Sequence, residues 1–509
     1  MRPGFTSLAL VVAGSLAVSA CRDTQTEPLP QQNGISLANV RADACDYRTS
    51  NNLKKLLDCV TVEGVRAHQA AFQAIADANG GVRVSGTAGY DASAAYVAAR
   101  LEEAGYDVTI QPFEFQTFIV LSPPILEQLA PAAGSIANSI LAYSGSGDVT
   151  AAVSTVSDVR GCNAADFAGF PAGNIALIAR GACTFALKAT NAYNAGASGV
   201  VIYNNIPGTL NGTLGNGFTL NIGVTSVTLD VGQQLAGTAG LVMRLKTETF
   251  RGVATTYNVL AETPDGDPDN VVMVGGHLDA VNAGPGIQDN GSGSAAILET
   301  AIQMAGVKTR NKVRFAWWGA EESGLLGSRY YVSNLSQAEQ DKIALYLNFD
   351  MIGSPNHVFF IYDGDDSDGV GAGPGPEGSA QIEALFESYY DGIGEAYRGT
   401  DFSGRSDYGP FIAVGIPAGG LFTGAEGIKT AEEAAIWGGT AGEQYDPCYH
   451  LACDTYDNIN LYALDVNADG VAYATLSFAM STEGINRQKG KGNFKPDEEP
   501  VAEGALAVQ

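Results

Sequence analysis

Apolar residues recur at helical spacing in two early stretches, at Leu53, Leu56, Leu57 and Val60 and again at Ala94, Val97, Ala98 and Leu101, before a stop at Gly105. The β-rich triplet Val108-Thr109-Ile110 follows, so residues 36–120 read as helix, helix, strand. Over residues 121–250 the texture changes to short apolar strands separated by Gly and Asn, as at 175–178 and 200–203. From 251 to 486 strands and helices alternate. The runs at 271–274, 313–318 and 344–349 read as buried strands, and 295–304 and 325–335 as helices. The closing helix is Leu461–Met480, with Leu464, Ala468, Val471, Ala474 and Phe478 on one face. This alternation predicts an α/β fold with a mostly parallel central sheet, interrupted by a β-rich insert.

The pattern fades at both ends. Arg2 precedes an apolar run over 8–20, shorter than the roughly 20 residues a bilayer-spanning helix needs, so residues 1–20 read as a signal peptide. Residues 21–35, rich in Gln, Pro and Thr, read as a tether, and 487–509 as a disordered tail. The signal ends Val18-Ser19-Ala20-Cys21, which resembles the bacterial lipobox, with Cys21 as the lipidated residue. The alternative is an ordinary secretory signal cut near Ala20. The chain is therefore expected to be exported, as a cell-envelope lipoprotein or a secreted protein. It would meet a membrane only through a lipid on Cys21.

Composition narrows the class. In 509 residues, Lys and Arg number 28 against 55 Asp and Glu, a net charge of −27. So acidic a chain repels phosphates, and no basic stripe with interleaved aromatics offsets that, which excludes nucleic acid as a partner. The 45% hydrophobic content excludes global disorder, and the length exceeds one ordinary core of ~100–200 residues. Setting Cys21 aside leaves six of the seven cysteines. In an oxidising compartment they are expected to pair locally as Cys45–Cys59, Cys162–Cys183 and Cys448–Cys453, although sequence alone leaves other pairings open.

Candidate chemistry sits where apolar strands end, because the crevice of an open α/β sheet lies at the carboxyl ends of its strands. The 271–274 run ends in Gly275-Gly276-His277-Leu278-Asp279, and residues two apart on a strand face the same side, so Asp279 can support His277 from behind. Asp289 lies in a glycine-flanked loop opening a helix. The third strand runs into Glu321-Glu322 and the fourth into Asp350. Of four histidines, His450 sits between Cys448 and Cys453, whereas His68 and His357 have no comparable setting and read as structural or exposed. Two histidines with several carboxylates form a nitrogen and oxygen set suited to zinc.

The motifs GGHLDAV, GIQDNGSG, AEESGLLGS, NFDMIGS and DPCYHLACDTYDN resemble those of the co-catalytic di-zinc aminopeptidases of the leucine-aminopeptidase type, which include an exported, calcium-sensitive bacterial branch. The stretch 161–205, with Cys162, Arg180-Gly181, Cys183, Lys188 and Gly196-Ala197, resembles a protease-associated domain. The resemblance implies a three-layer zinc-peptidase sandwich with that domain inserted. It implies that His277 and Asp350 hold one Zn²⁺, that Glu322 and His450 hold the other, and that Asp289 bridges them. It makes Glu321 the general base and Tyr449 the oxyanion donor, and places a cis peptide at Asp289-Asn290. Two dications against three ligand carboxylates leave one positive charge, which a hydroxide nucleophile neutralises; zinc can bring the pKa of bound water to roughly 7.

The resemblance extends to Arg405, which lines the substrate site in the bacterial branch, and to Phe422, an aromatic of its side-chain pocket. Asp465 and Asp469 match acidic positions of a Ca²⁺ site there, while the positions around Ile35 lack the accompanying aspartate. The expected activity is aminopeptidase action on peptides with a free, hydrophobic N-terminal residue, by a monomer. The alternatives are a zinc carboxypeptidase or dipeptidase, a glutaminyl cyclase of the same fold, and a non-enzymatic peptide-binding protein.

Overall fold

A computed structural model describes Cys45 and residues 49–486 apart from 209, 211, 370 and 372. The signal peptide, Cys21, the tether and the tail lie outside these residues. The strands that matter for the site are β1 (Asp107–Ala130), β2 (Val242–Glu262), β3 (Asp267–His277), β4 (Asn311–Trp318), β5 (Ile343–Phe349) and β6 (Ala418–Phe422). The principal helices are α1 (Val62–Ala78), α2 (Ala88–Glu103), α3 (Gly291–Met304) and α4 (Leu461–Met480).

β4, β3, β5 and β6 pair in parallel in that order, and β2 joins the β4 edge antiparallel. Period-two alternation along each strand sends side chains to two different cores. Val272, Val274, Phe315, Trp317, Leu345 and Leu347 pack under α1, α2, α3 and α4. Val271, Met273, Ala316, Trp318 and Tyr346 pack on the other face, against the helices Leu326–Asn334 and Tyr408–Ala413. The result is the expected three-layer sandwich, each fully buried aliphatic or Phe side chain contributing about 1.5–3 kcal/mol.

Two features depart from the sequence expectation. α1 was not anticipated, because its inward face mixes Val65, Phe72 and Ala76 with the buried polar residues His68 and Gln69, which breaks the apolar period. β1 is far longer than the 108–110 run. It pairs with β2 from Asp107 opposite Glu262 to Ala130 opposite Val242, with register shifts at Val120/Ser122, Ser122/Ile125 and Gln128/Ala130, the second of which spans Pro123 and Pro124, which have no N–H to donate. The expected division points near 120 and 250 fall inside this ladder, where Val120 faces Thr249. The far end of β2 pairs with the strand Gly147–Thr155, so the insert's strands continue the peptidase sheet. The insert has its own cores, built on Ile175–Ala179, Gly199–Tyr203 and Gly223–Val227 and flanked by the helices Phe185–Asn194 and Leu229–Gly237.

All three expected disulfides are present. Among the described residues no helix is long and apolar enough to cross a membrane.

Candidate metal centre

The parallel strands deliver their last residues to one edge of the sheet. His277 ends β3 beside Trp318, the end of β4, and Asp350 follows β5 directly. Gly319 and Ala320 carry the chain from β4 to Glu321. The Ala320 N–H donates to Ser85 Oγ at 2.7 Å and the Glu321 N–H to Asp279 Oδ1 at 3.1 Å. Asn290 caps α3 by accepting from the Gly293 N–H, accepts also from the Met351 N–H, and donates to the Phe349 carbonyl, so it ties the Asp289 turn to Asp350. The Asp289-Asn290 peptide is cis, as expected. Ala320, Leu325, Met351 and His450 all have positive φ. Non-glycine residues rarely adopt that conformation, and here it accompanies the turns that aim the site's side chains.

These turns bring all five expected ligands together. His277 Nε2 lies 3.2 Å from Asp289 Oδ1 and 3.3 Å from Asp350 Oδ1. His450 Nε2 lies 3.0 Å from Asp289 Oδ2 and 3.2 Å from Glu322 Oε2. Asp289 thus offers one oxygen to each half of the centre. Ligands bound tetrahedrally to zinc at ~2.0–2.2 Å are separated by roughly 3.4 Å, close to these spacings. Glu322 Oε1 is buried with no hydrogen-bond partner, a fault that a cation would correct. The donor set and its orphaned oxygen therefore fit zinc.

The electrostatics agree. Burial opposes charge on His277, yet Asp350, Glu321 and Asp289 lift its pKa well above the usual imidazole value. Burial likewise opposes charge on His450, but Glu322 and Asp289 raise it to about 10. Burial raises Glu321 well above the normal carboxylate range, and raises Glu322 in spite of His450. Asp289 is held low by the two imidazoles against its own burial.

Asp279 acts differently from expectation. The His277 Nδ1–H donates to its backbone carbonyl at 3.0 Å, while its carboxylate stands 3.8 Å off and accepts from the Glu321 N–H. Glu321 Oε2 is 4.0 Å from His277 Nε2, beside the ligands. Tyr449 stacks on the His450 ring at 3.8 Å. Arg405 donates to Tyr449 Oη at 3.1 Å and to Glu426 Oε1 at 2.7 Å. The cleft above the ligands has a volume of about 290 Å³, and Phe422, Phe360, Met351 and Leu325 form part of its wall.

His68 and His357 are both buried away from this centre. His68 lies between Tyr96 Oη and Glu299, and His357 packs on Phe359. Asp465 and Asp469 lie on α4, and neither belongs to a group of three or more converging ligand atoms among the described residues. The sequence reading missed Ser406, whose hydroxyl donates to Asp350 Oδ2 at 2.6 Å. It also missed Asn282, whose side chain accepts from the Val120 N–H and donates to the Phe118 carbonyl, tying the loop after His277 to β1. Neither residue has a local pattern to mark it.

Comparison with known proteins gives two family matches, Peptidase family M28 over residues 258–475 and PA domain over 146–235. An aminopeptidase of Pseudomonas aeruginosa is 47% identical over 446 residues, 84% of this chain and 83% of its own. A protein of Mycobacterium tuberculosis described as a "probable lipoprotein aminopeptidase" is 41% identical over 503 residues, 96% of both chains. The solved structure of a zinc aminopeptidase from Bacillus subtilis aligns with TM-score 0.62 at 25% identity, covering 85% of this chain and 97% of that one.

Proposed function

The chain belongs to peptidase family M28 and is a zinc aminopeptidase with a protease-associated domain; from that premise we propose that it holds two zinc ions and removes apolar N-terminal residues from peptides outside the cytoplasm. The observation that carries this reading is Asp289, with His277 at 3.2 Å from one oxygen and His450 at 3.0 Å from the other. His277 and Asp350 would hold one ion, Glu322 and His450 the second, with Asp289 shared. When bound, zinc polarises the scissile carbonyl and makes water nucleophilic near neutral pH.

The protein supplies the rest. The Asp279 carbonyl fixes the His277 tautomer, so that Nε2 faces the centre. Glu321 is spare as a ligand. Its burial raises its proton affinity, which suits a base that takes a proton from the attacking water and returns it to the leaving amine. Because Arg405 donates to Tyr449 Oη, the phenolic O–H is free to donate to the developing oxyanion. Phe422 and its apolar neighbours favour Leu, Phe or Met at the substrate N-terminus. Discrimination per methylene is only ~1–3 kcal/mol, so the preference is broad. The disulfides and the lipoprotein relative support export, with Cys21 as the anchor. We assign residues 36–120 and 251–486 to the peptidase and 121–250 to the insert.

The test is release of amine from leucine and alanine arylamides, against N-acetyl-leucine arylamide and a carboxypeptidase substrate, with chelator and zinc add-back. Only the free-amine substrates should be cleaved, and only with zinc. Equal cleavage of the acetylated substrate would refute the aminopeptidase specificity, and cleavage from the C-terminus would reassign the activity.

A further inference from the structure

The segment from Leu278 to Asp289 carries the shared carboxylate, and two buried side chains, a guanidinium and a carboxyl group, grip it. Arg83 is fully buried. Its Nε donates to the Pro285 carbonyl at 2.8 Å and its other nitrogens to the carbonyls of Leu278 and Gly286. Asp454 is 2% exposed. Its Oδ1 accepts from the Gln288 N–H at 2.8 Å and its Oδ2 from the Asp289 N–H at 3.1 Å. Asn458 holds Asp454 in turn, donating to Oδ1 at 3.3 Å.

We propose that Arg83 and Asp454 form a clamp that positions Asp289 between His277 and His450; this rests on the two-ion reading above. A buried polar or charged group is unfavourable unless hydrogen bonds satisfy it, so both groups are bound into the geometry they enforce. A lysine cannot replace Arg83, because only the planar guanidinium fork reaches three separated carbonyls. Asp454 directly follows Cys453, which closes the loop holding His450. One carboxylate therefore couples the placement of Asp289 to the loop that carries the second histidine. Neither residue belongs to the ligand set, so both are positioning residues.

The experiment uses metal-depleted protein, titrated with zinc against a chelating indicator, for wild type, Asp454→Asn and Arg83→Lys. Asp454→Asn keeps the shape but can turn a donor toward the Asp289 N–H. Substituting such partners of metal ligands typically weakens metal binding by about 10- to 100-fold, and both variants should show that loss across the two binding steps. The cobalt(II)-substituted variants should also show weakened spin coupling between the ions, while the metal-free proteins keep their far-ultraviolet dichroism and thermal midpoint. Two results would overturn the clamp: variants with wild-type zinc affinities and coupling, or variants whose metal-free fold is lost while any loaded fraction couples normally. A wild type that takes up one ion would instead overturn the two-ion reading, and the clamp would then be judged on that ion's affinity.

Discussion

Glu322 presents Oε2 to His450 across 3.2 Å and keeps Oε1 buried without a partner. A buried acceptor left unpaired costs about 1–3 kcal/mol, so the folded protein gains by taking up a cation there. Chelation should abolish hydrolysis and lower the thermal midpoint, and zinc should restore both. At a free concentration 1,000 times the dissociation constant, one ion contributes about 4 kcal/mol. Calorimetry across a zinc series checks this, and a midpoint indifferent to zinc would count against the site.

Glu321 stands among the ligands without being required as one. Glu321→Gln should lower kcat by at least ~10²-fold while zinc content stays at the wild-type level. Steady-state kinetics beside elemental analysis of the same sample separates loss of the base from loss of metal.

Tyr449 and Arg405 should separate kinetically. Tyr449→Phe removes the hydroxyl proposed to serve the oxyanion and should cost about 10²- to 10³-fold in kcat with little change in KM. Arg405→Ala removes the donor to Tyr449 and a neighbour of the cleft, so both constants should worsen. An unchanged kcat in Tyr449→Phe would leave oxyanion stabilisation to other groups.

His357 predicts an acid limb of stability unrelated to catalysis. Burial, aided by the Lys429 ammonium, pushes its pKa from 6.5 down to about 4. Because the unfolded chain binds this proton first, the contribution is complete above pH 6.5 and is lost as pH falls through about 4. It amounts to about 3 kcal/mol at most. His357→Phe should flatten that limb in denaturant titrations between pH 4 and 7. Parallel profiles for the two proteins would refute the assignment.

The sequence disclosed the residues that end apolar runs. His277, Glu321, Glu322 and Asp350 were legible because a buried strand must stop somewhere, and in a parallel sheet it stops at the crevice. Asp289 and His450 were legible from their glycine and cysteine surroundings. The pieces that work through the backbone were hidden. Which Asp279 oxygen serves His277 depends on a local fold that spacing does not encode, and the grip of Arg83 and Asp454 on main-chain groups leaves no periodic trace. α1 was hidden for a related reason, since its buried face spends His68 and Gln69 on polar partners, with Gln69 donating to the Ile287 carbonyl.

The two strands that run into the insert do so side by side, with Val120 opposite Thr249. Antiparallel partners stand about 5 Å apart, a gap that a two-residue hairpin turn closes. A turn joining Val120 to Thr249 across that rung would thus leave a capped hairpin on the sheet in place of the insert, at the loss of the hydrogen bonds that Arg251 makes to the Tyr143, Phe218 and Leu220 carbonyls. The same rung is hydrogen-bonded to Asn282 on the loop between His277 and Asp289. Grafting a different domain there would place its root one side chain away from the loop that carries Asp289.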